Sequence, residues 1–364
     1  MPDPLRLVQV GAGGMGRAWL RNLASNPDVR LVGLVDLDAD AARRAADEEG
    51  HPGVAVATSF DALPTRGEAD ALVNVTVPGA HHAVTTAALL AGLPVLSEKP
   101  LAESVAEGLS MAAAAEVGGR LLMVSQSRRY WRHLAAFRRQ VARLGPLGTL
   151  TCEFFRAPRF GGFREEMEHP LLVDMAIHQL DLARDLAGCE PVAVWCDSAN
   201  PSWSWFAGDA AAVAVFELEG GVRFVFTGSW CAPGLETSWN GRWRVSGRDG
   251  TAVWDGDGEP VGEAADGAAL PVVVEDEPEQ IAGSLAEFVA ALRSGEVPSG
   301  EVHANVLSLA MVEAATTSAR TGRRVRIAEV LDTAYASAVE AETDERVRAR
   351  LLSWPSVHEV VGRR

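Results

Sequence analysis

Lysine is all but absent: of the 33 basic residues in this chain of 364, the only lysine is Lys99 and the rest are arginine. So strong a preference makes most surface lysines replaceable, and the position where lysine persists is a candidate catalytic group. Its ammonium is a compact donor whose pKa falls on burial, whereas a guanidinium stays flat and charged. Positive charge as a whole is in deficit. The net charge of −16 argues against nucleic acid and anionic membranes as partners, since both require clustered cations. Cysteine is sparse too. Cys152, Cys189, Cys196 and Cys231 form no Cys-x-x-Cys pair and no zinc-like spacing, so they read as buried or free thiols of a reducing compartment. No apolar run approaches the roughly 18 residues of a membrane span. Met1-Pro2-Asp3-Pro4 leads into an apolar strand with no basic, signal-like region, and the expected setting is the cytoplasm.

What is present describes a globular protein, with 48% hydrophobic and 23% charged residues. The length exceeds one ordinary core and predicts two domains. Strand-like runs at 5–10, 29–35, 71–75, 94–97 and 121–124 alternate with helix-like stretches at 15–25, 39–49, 82–91 and 104–116. That order predicts a parallel sheet covered by helices. After a helix-like stretch at 169–187, runs at 192–197, 211–218, 222–229, 241–245 and 251–254 follow one another without helices and predict an antiparallel sheet. Helical patterns return at 278–293 and 302–320. The expected fold is an α/β Rossmann domain at 1–124, an α+β domain with a large, mostly antiparallel open sheet at 125–331, and a helical tail at 332–364.

The first strand runs into Gly11-Ala12-Gly13-Gly14-Met15-Gly16, a Gly-x-Gly-x-x-Gly loop between strand and helix. Gly11 permits the tight turn, Gly13 lets backbone amides approach a pyrophosphate, and Gly16 allows helix to pack on strand. The next strand ends in Asp36, 20 residues after Gly16. A carboxylate there accepts from ribose hydroxyls and repels a 2′-phosphate, which points to NAD(H) rather than NADP(H). Arg43 and Arg44 on the following helix keep the second cofactor open.

Thr76-Val77-Pro78-Gly79-Ala80-His81-His82 and Ser97-Glu98-Lys99-Pro100 follow the next two strands. Together with the glycine loop they resemble the Gfo/Idh/MocA family, the glucose-fructose oxidoreductase and inositol dehydrogenase group. The family pattern is Thr-Pro-Asn-x-x-His, then Ala-Gly-Lys, then Glu-Lys-Pro. This chain departs from it at Val77, at Gly79 and at Leu93, and His82 is read as the motif histidine. Asp174-Met175-Ala176-Ile177-His178-Gln179-Leu180-Asp181 resembles the family's second signature, in particular its inositol dehydrogenase branch. The resemblance implies that Thr76, Pro78, His82, Glu98 and Lys99 contact the cofactor together with the glycine loop and Asp36. It implies Lys99, Asp174 and His178 as catalytic residues, with Arg129 and Asp181 joining them around the substrate. An ordinary surface arginine remains the other reading of Arg129.

Asp174 and His178 lie i, i+4 and Asp181 a further three residues on, so they share a helical stripe. Oxidising an alcohol requires a base for the hydroxyl proton, and histidine titrates near neutrality. Lys99 can donate to the same oxygen and stabilise developing alkoxide charge. A solvated acidic helix face, extended by Asp185, is the competing reading of the stripe. No carboxylate or histidine spacing suggests a metal. Seven of the ten tryptophans fall between Trp195 and Trp254. They read mainly as cover for the open sheet, through which the resemblance implies a homodimer or homotetramer. Trp203 and Trp205 could instead stack on a sugar. The leading expectation is an NAD-dependent dehydrogenase acting on a secondary hydroxyl of a sugar, polyol or cyclitol. An NAD-dependent glycoside hydrolase of the same superfamily and a non-catalytic nucleotide sensor are the alternatives.

Overall fold

Apolar runs bounded by glycine turns become the strands of a parallel sheet, buried on both faces as such a sheet requires. In this computed structural model, which describes residues 3–362, the elements run β1 (Leu5–Val10), α1 (Gly14–Ser25), β2 (Val29–Val35), α2 (Ala39–Glu48), β3 (Ala55–Ala57), β4 (Ala71–Asn74), α3 (Pro78–Leu90), β5 (Val95–Glu98), α4 (Val105–Gly118) and β6 (Leu122–Ser125). The strand order is β3-β2-β1-β4-β5-β6, all parallel. The chain therefore reverses its winding between β1 and β4. Loops leaving the carboxyl ends of strands at such a switch point are where ligands bind.

The second sheet begins after α5 (Arg132–Val141) and comprises β7 (Leu147–Phe155), then, beyond α6 (Ile177–Ala187), β8 (Pro191–Ala199), β9 (Ala211–Leu218), β10 (Arg223–Ser229), β11 (Arg242–Gly247), β12 (Gly250–Trp254) and β13 (Val261–Ala264). Helices α7 (Gln280–Ser294) and α8 (Val302–Thr321), strand β14 (Val325–Arg326) and helices α9 (Ile327–Ala341), α10 (Glu345–Leu352) and α11 (Val357–Val360) complete the chain. The order β13-β12-β11-β7-β10-β9-β8-β14 is antiparallel except where β7 and β10 run parallel. Strand β7 and helix α5 were absent from the sequence reading, although both carry a regular burial pattern.

Period-two alternation sends Ala212, Ala214, Phe216, Phe224, Phe226, Trp243 and Trp254 into the core, on the face covered by α5 and α6. Trp230, Trp243 and Trp254 are each 1% exposed. Three of the segment's seven tryptophans thus serve the core, while Trp195 and Trp203 are exposed. Trp195 stands on the sheet's other face, opposite Val215, which pairs in turn with Val225.

These elements gather into two units. One takes the described residues of Met1–Ser127, Glu279–Val306 and Ala334–Arg364; the other takes Arg128–Pro278 and Leu307–Thr333. The C-terminal helices beyond Ala334 therefore fall in the first unit. Helix α4 shows why. Its sequence is apolar nearly all round, and Leu109, Ser110 and Met111 through Ala115 are all buried. A helix without a polar face needs cover on more than one side; α3 supplies one side and α10 the other.

Candidate active site

The glycine loop is built by close approach. A Cβ at Gly11, whose φ is +102°, would sit 2.4 Å from the carbonyl oxygen of Val75, and one at Gly16 would sit 2.4 Å from that of Gly11. Gly13 and Gly14 differ: a Cβ there would meet nothing within 4 Å. Nothing in the protein demands smallness at those two positions, whereas a pyrophosphate lying against the backbone does. Gln9, fully buried in β1, donates from Nε2 to the carbonyls of Gly11 and Gly16 at 2.8 and 2.9 Å. It clamps the loop to the first turn of α1 and had no part in the sequence reading. Asp36 accepts from the Ala12 amide at 2.7 Å and from the Asp38 amide at 3.0 Å. Its carboxylate is thereby fixed beside the loop, and Met15 lies exposed at the loop's outer edge. These residues fit an adenosine ribose and its pyrophosphate.

Lys99 follows β5, with both flanking residues held. The buried Glu98 accepts from the Trp19 indole at 2.8 Å and from the Lys99 amide at 3.1 Å. Burial pushes the Glu98 carboxyl upward, against the opposing effects of Trp19 and Lys99. On the other side, His81 Nδ1 lies 2.7 Å from the Pro100 carbonyl oxygen and Nε2 lies 3.1 Å from that of Thr76. Burial lowers the His81 pKa; the two carbonyls oppose that shift and the Lys99 charge adds to it. The histidine that reaches the lysine segment is thus His81. His82, read as the motif histidine, points to Ser110 on α4 at 2.9 Å, and Ser110 donates in turn to Glu342. Counting the motif without a gap, so that Val77 and Pro78 stand for its proline and asparagine, would have selected His81. Thr76 donates through its hydroxyl to Asn74 at 2.7 Å, and Pro78 opens α3, where its missing N–H costs nothing.

In the second unit, 169–187 is not one regular helix. Leu171–Ala176 is a π-helical turn that passes into α6 at Ile177, a distortion frequent at functional sites. Asp174 lies on the widened turn and His178 on the first turn of α6. Arg164 donates to Asp174 at 2.6 Å across a half-buried ion pair. The stripe is no solvated face, because each further aspartate also meets an arginine. Arg138 pairs with Asp185 at 2.5 Å, and Arg129 closes both arms of its fork on Asp181 at 2.7 and 2.8 Å.

That last pair bears on the substrate roles read for Arg129 and Asp181, whose side chains are only 7% and 2% exposed. Asp181 also accepts from Ser308, which accepts from Arg184. Burial opposes both charges. The attraction outweighs it, holding the Arg129 pKa up and the Asp181 carboxyl down. In this geometry the two residues bind each other and brace the helix that carries His178. Among the described residues no group of histidines, cysteines and carboxylates is arranged to hold a metal, and no helix is long and apolar enough to cross a membrane.

Residues 5–126 match the domain described as "Oxidoreductase family, NAD-binding Rossmann fold", and residues 137–253 match the "GFO/IDH/MocA C-terminal domain". An uncharacterised protein of Sinorhizobium fredii is 29% identical over 90% of this chain and 96% of its own length. The inositol 2-dehydrogenase of Rhizobium meliloti is 29% identical over 89% of this chain and 99% of its own. An oxidoreductase from Agrobacterium radiobacter, crystallised with NAD+, L-tartaric acid and magnesium, superimposes with a TM-score of 0.80 at 20% identity, over 90% of this chain and 99% of that one. With a glycine loop built for a dinucleotide, a six-stranded parallel sheet, an eight-stranded mixed sheet and both domain matches in order, the chain belongs to the Gfo/Idh/MocA family of NAD-binding oxidoreductases.

Proposed function

We propose that this oxidoreductase oxidises a secondary alcohol group of a sugar, polyol or cyclitol to a ketone, taking hydride from the carbon and a proton from its hydroxyl, with Lys99, Asp174 and His178 acting on one substrate. The observation that carries the reading is the setting of Lys99. The chain's single lysine leaves β5, one strand beyond the switch point, with Glu98 tying it to the glycine-loop helix and His81 tying it to the Thr76 turn. Bound NAD supplies the hydride acceptor. Lys99 donates a hydrogen bond to the reacting oxygen as negative charge grows on it. His178 takes the hydroxyl proton, and Asp174 orients neighbouring hydroxyls or His178 itself. Asp36 and the amides around Gly13 hold the cofactor, with NAD favoured because the carboxylate repels a 2′-phosphate. The name of the Rhizobium meliloti relative supports a cyclitol among the substrates. The row Trp195, Val215 and Val225 supports a subunit contact on the open sheet.

Purified protein mixed with NAD and a panel of polyols, cyclitols, sugars and glycosides tests the reading through NADH absorbance. Sustained NADH formation is expected. Release of an aglycone without NADH would move the chain to the hydrolase reading, and tight NAD binding without either would make it a sensor.

A further inference from the structure

Arg128 is a half-buried cation without a matching anion. Among the described residues no carboxylate reaches it, and its one hydrogen bond runs from a terminal nitrogen to Asn240 Oδ1 at 3.0 Å. Asn240 is fixed as an acceptor, because its Nδ2 donates to the Gly256 carbonyl at 2.7 Å. A guanidinium carries five N–H donors, so most of the Arg128 fork is uncommitted.

A second arginine adds to the positive field. Arg156 stacks on Trp239 at 4.3 Å from the ring centre, and Arg128 lies 6.0 Å from the same centre. The charge of Arg156 is met by Glu236 at 2.8 Å and its other arm by the Thr237 carbonyl. The charge of Arg128 is not met in this way. Asp257, the carboxylate near enough to favour its charge, takes the Ser238 hydroxyl at 2.7 Å. Burial, followed by the charge of Arg156, pulls the Arg128 pKa down to about 10, which leaves it charged at neutral pH. Keeping a cation half-buried and unpaired is unfavourable, and such cost concentrates where a ligand repays it.

The location fits a substrate. The Trp239 carbonyl accepts from Gln179 Nε2 at 3.5 Å, and Gln179 is the residue after His178. Through Trp239 and Gln179, Arg128 is therefore linked to the helix that carries the proposed base. We infer that Arg128 recognises a carboxylate on the substrate, so that this enzyme acts on a polyhydroxy acid, an aldonate or uronate, in preference to the neutral sugar. One uncommitted fork matches one carboxylate in size and charge, whereas a phosphate dianion would call for a second free cation. The inference rests on the dehydrogenase reading only for the identity of the rest of the ligand.

Calorimetric titration of the NAD-loaded protein with matched pairs, gluconate against glucitol and glucuronate against glucose, reads the pocket without requiring turnover. The acid should bind about tenfold tighter or more in at least one pair. Arg128→Leu should abolish that difference and Arg128→Lys should restore part of it, with circular dichroism showing that each variant is folded and fluorescence following its NADH affinity. Equal affinity within both pairs, or a preference that survives Arg128→Leu, overturns the inference. Tighter binding of glucose 6-phosphate than of glucuronate would overturn it in favour of a phosphate. A loss of NADH affinity in a folded Arg128→Leu protein would assign the arginine to the cofactor instead. NADH formation is scored separately: acid bound without turnover leaves the pocket standing and sinks the dehydrogenase reading, while turnover without charge preference does the reverse.

Discussion

Charges inside this protein are placed in pairs, and the pairs separate bracing from chemistry. Arg129 and Asp181 are both buried and make a two-armed contact, with Ser308 and Arg184 continuing the network. Removing one member leaves a buried charge without compensation, which costs about 3–5 kcal/mol, whereas replacing both with apolar residues of similar volume is far milder. Arg129→Met should therefore destabilise the protein by about that amount in denaturant unfolding, and Arg129→Met combined with Asp181→Leu by much less. If the double variant were as unstable as the single one, the pair would not be a closed unit. Arg164 on Asp174 is a different case, since the Arg164 side chain is 36% exposed and a ligand hydroxyl can compete for its partner. Pairings of this kind explain what the sequence concealed. The Asp174–His178 spacing is local and legible, but that Arg129 lies on Asp181 depends on chain segments 52 residues apart. The choice of His81 over His82 turned on a single inserted residue in a motif.

At the scale of elements, one carboxylate adds to the packing of α10 on α4. Glu116 on α4 faces His303 at 3.3 Å, and accepts from Arg350 at 2.8 Å and from the Trp354 indole at 2.7 Å. Burial opposes its charge, but these partners outweigh burial and hold its pKa at about 2. Burial likewise disfavours charged His303, yet Glu116 and Glu301 together raise it to about 9. A raised histidine contributes fully below its ordinary value of 6.5 and loses that contribution as pH rises through about 9. The lowered carboxylate contributes above 4.5 and fails as pH falls through about 2. The melting temperature should therefore drop between neutral pH and about 10 in the wild type. The corresponding drop should be smaller in His303→Gln; parallel pH profiles for the two proteins would contradict the account. Element types were largely readable because the strands of the first sheet are short continuous apolar runs and those of the second alternate. The π-helical turn was not, since a run of apolar residues around Asp174 fits an ordinary helix equally well.

For the whole molecule, the face of the large sheet that bears Trp195 carries exposed apolar side chains. Trp195 is 45% exposed there and Val213 44%. If this face joins subunits, Trp195→Glu should lower the mass seen by sedimentation while NADH affinity holds. An unchanged mass would place the contact elsewhere. The proposed role of Lys99 as donor to the reacting oxygen also belongs to this scale. Lys99→Arg tests it most directly, since it preserves the charge and removes the compact ammonium donor. With NADH binding measured alongside turnover, the account predicts near-normal cofactor affinity and a fall in kcat of about a hundredfold or more. Turnover close to wild type in that variant would contradict it.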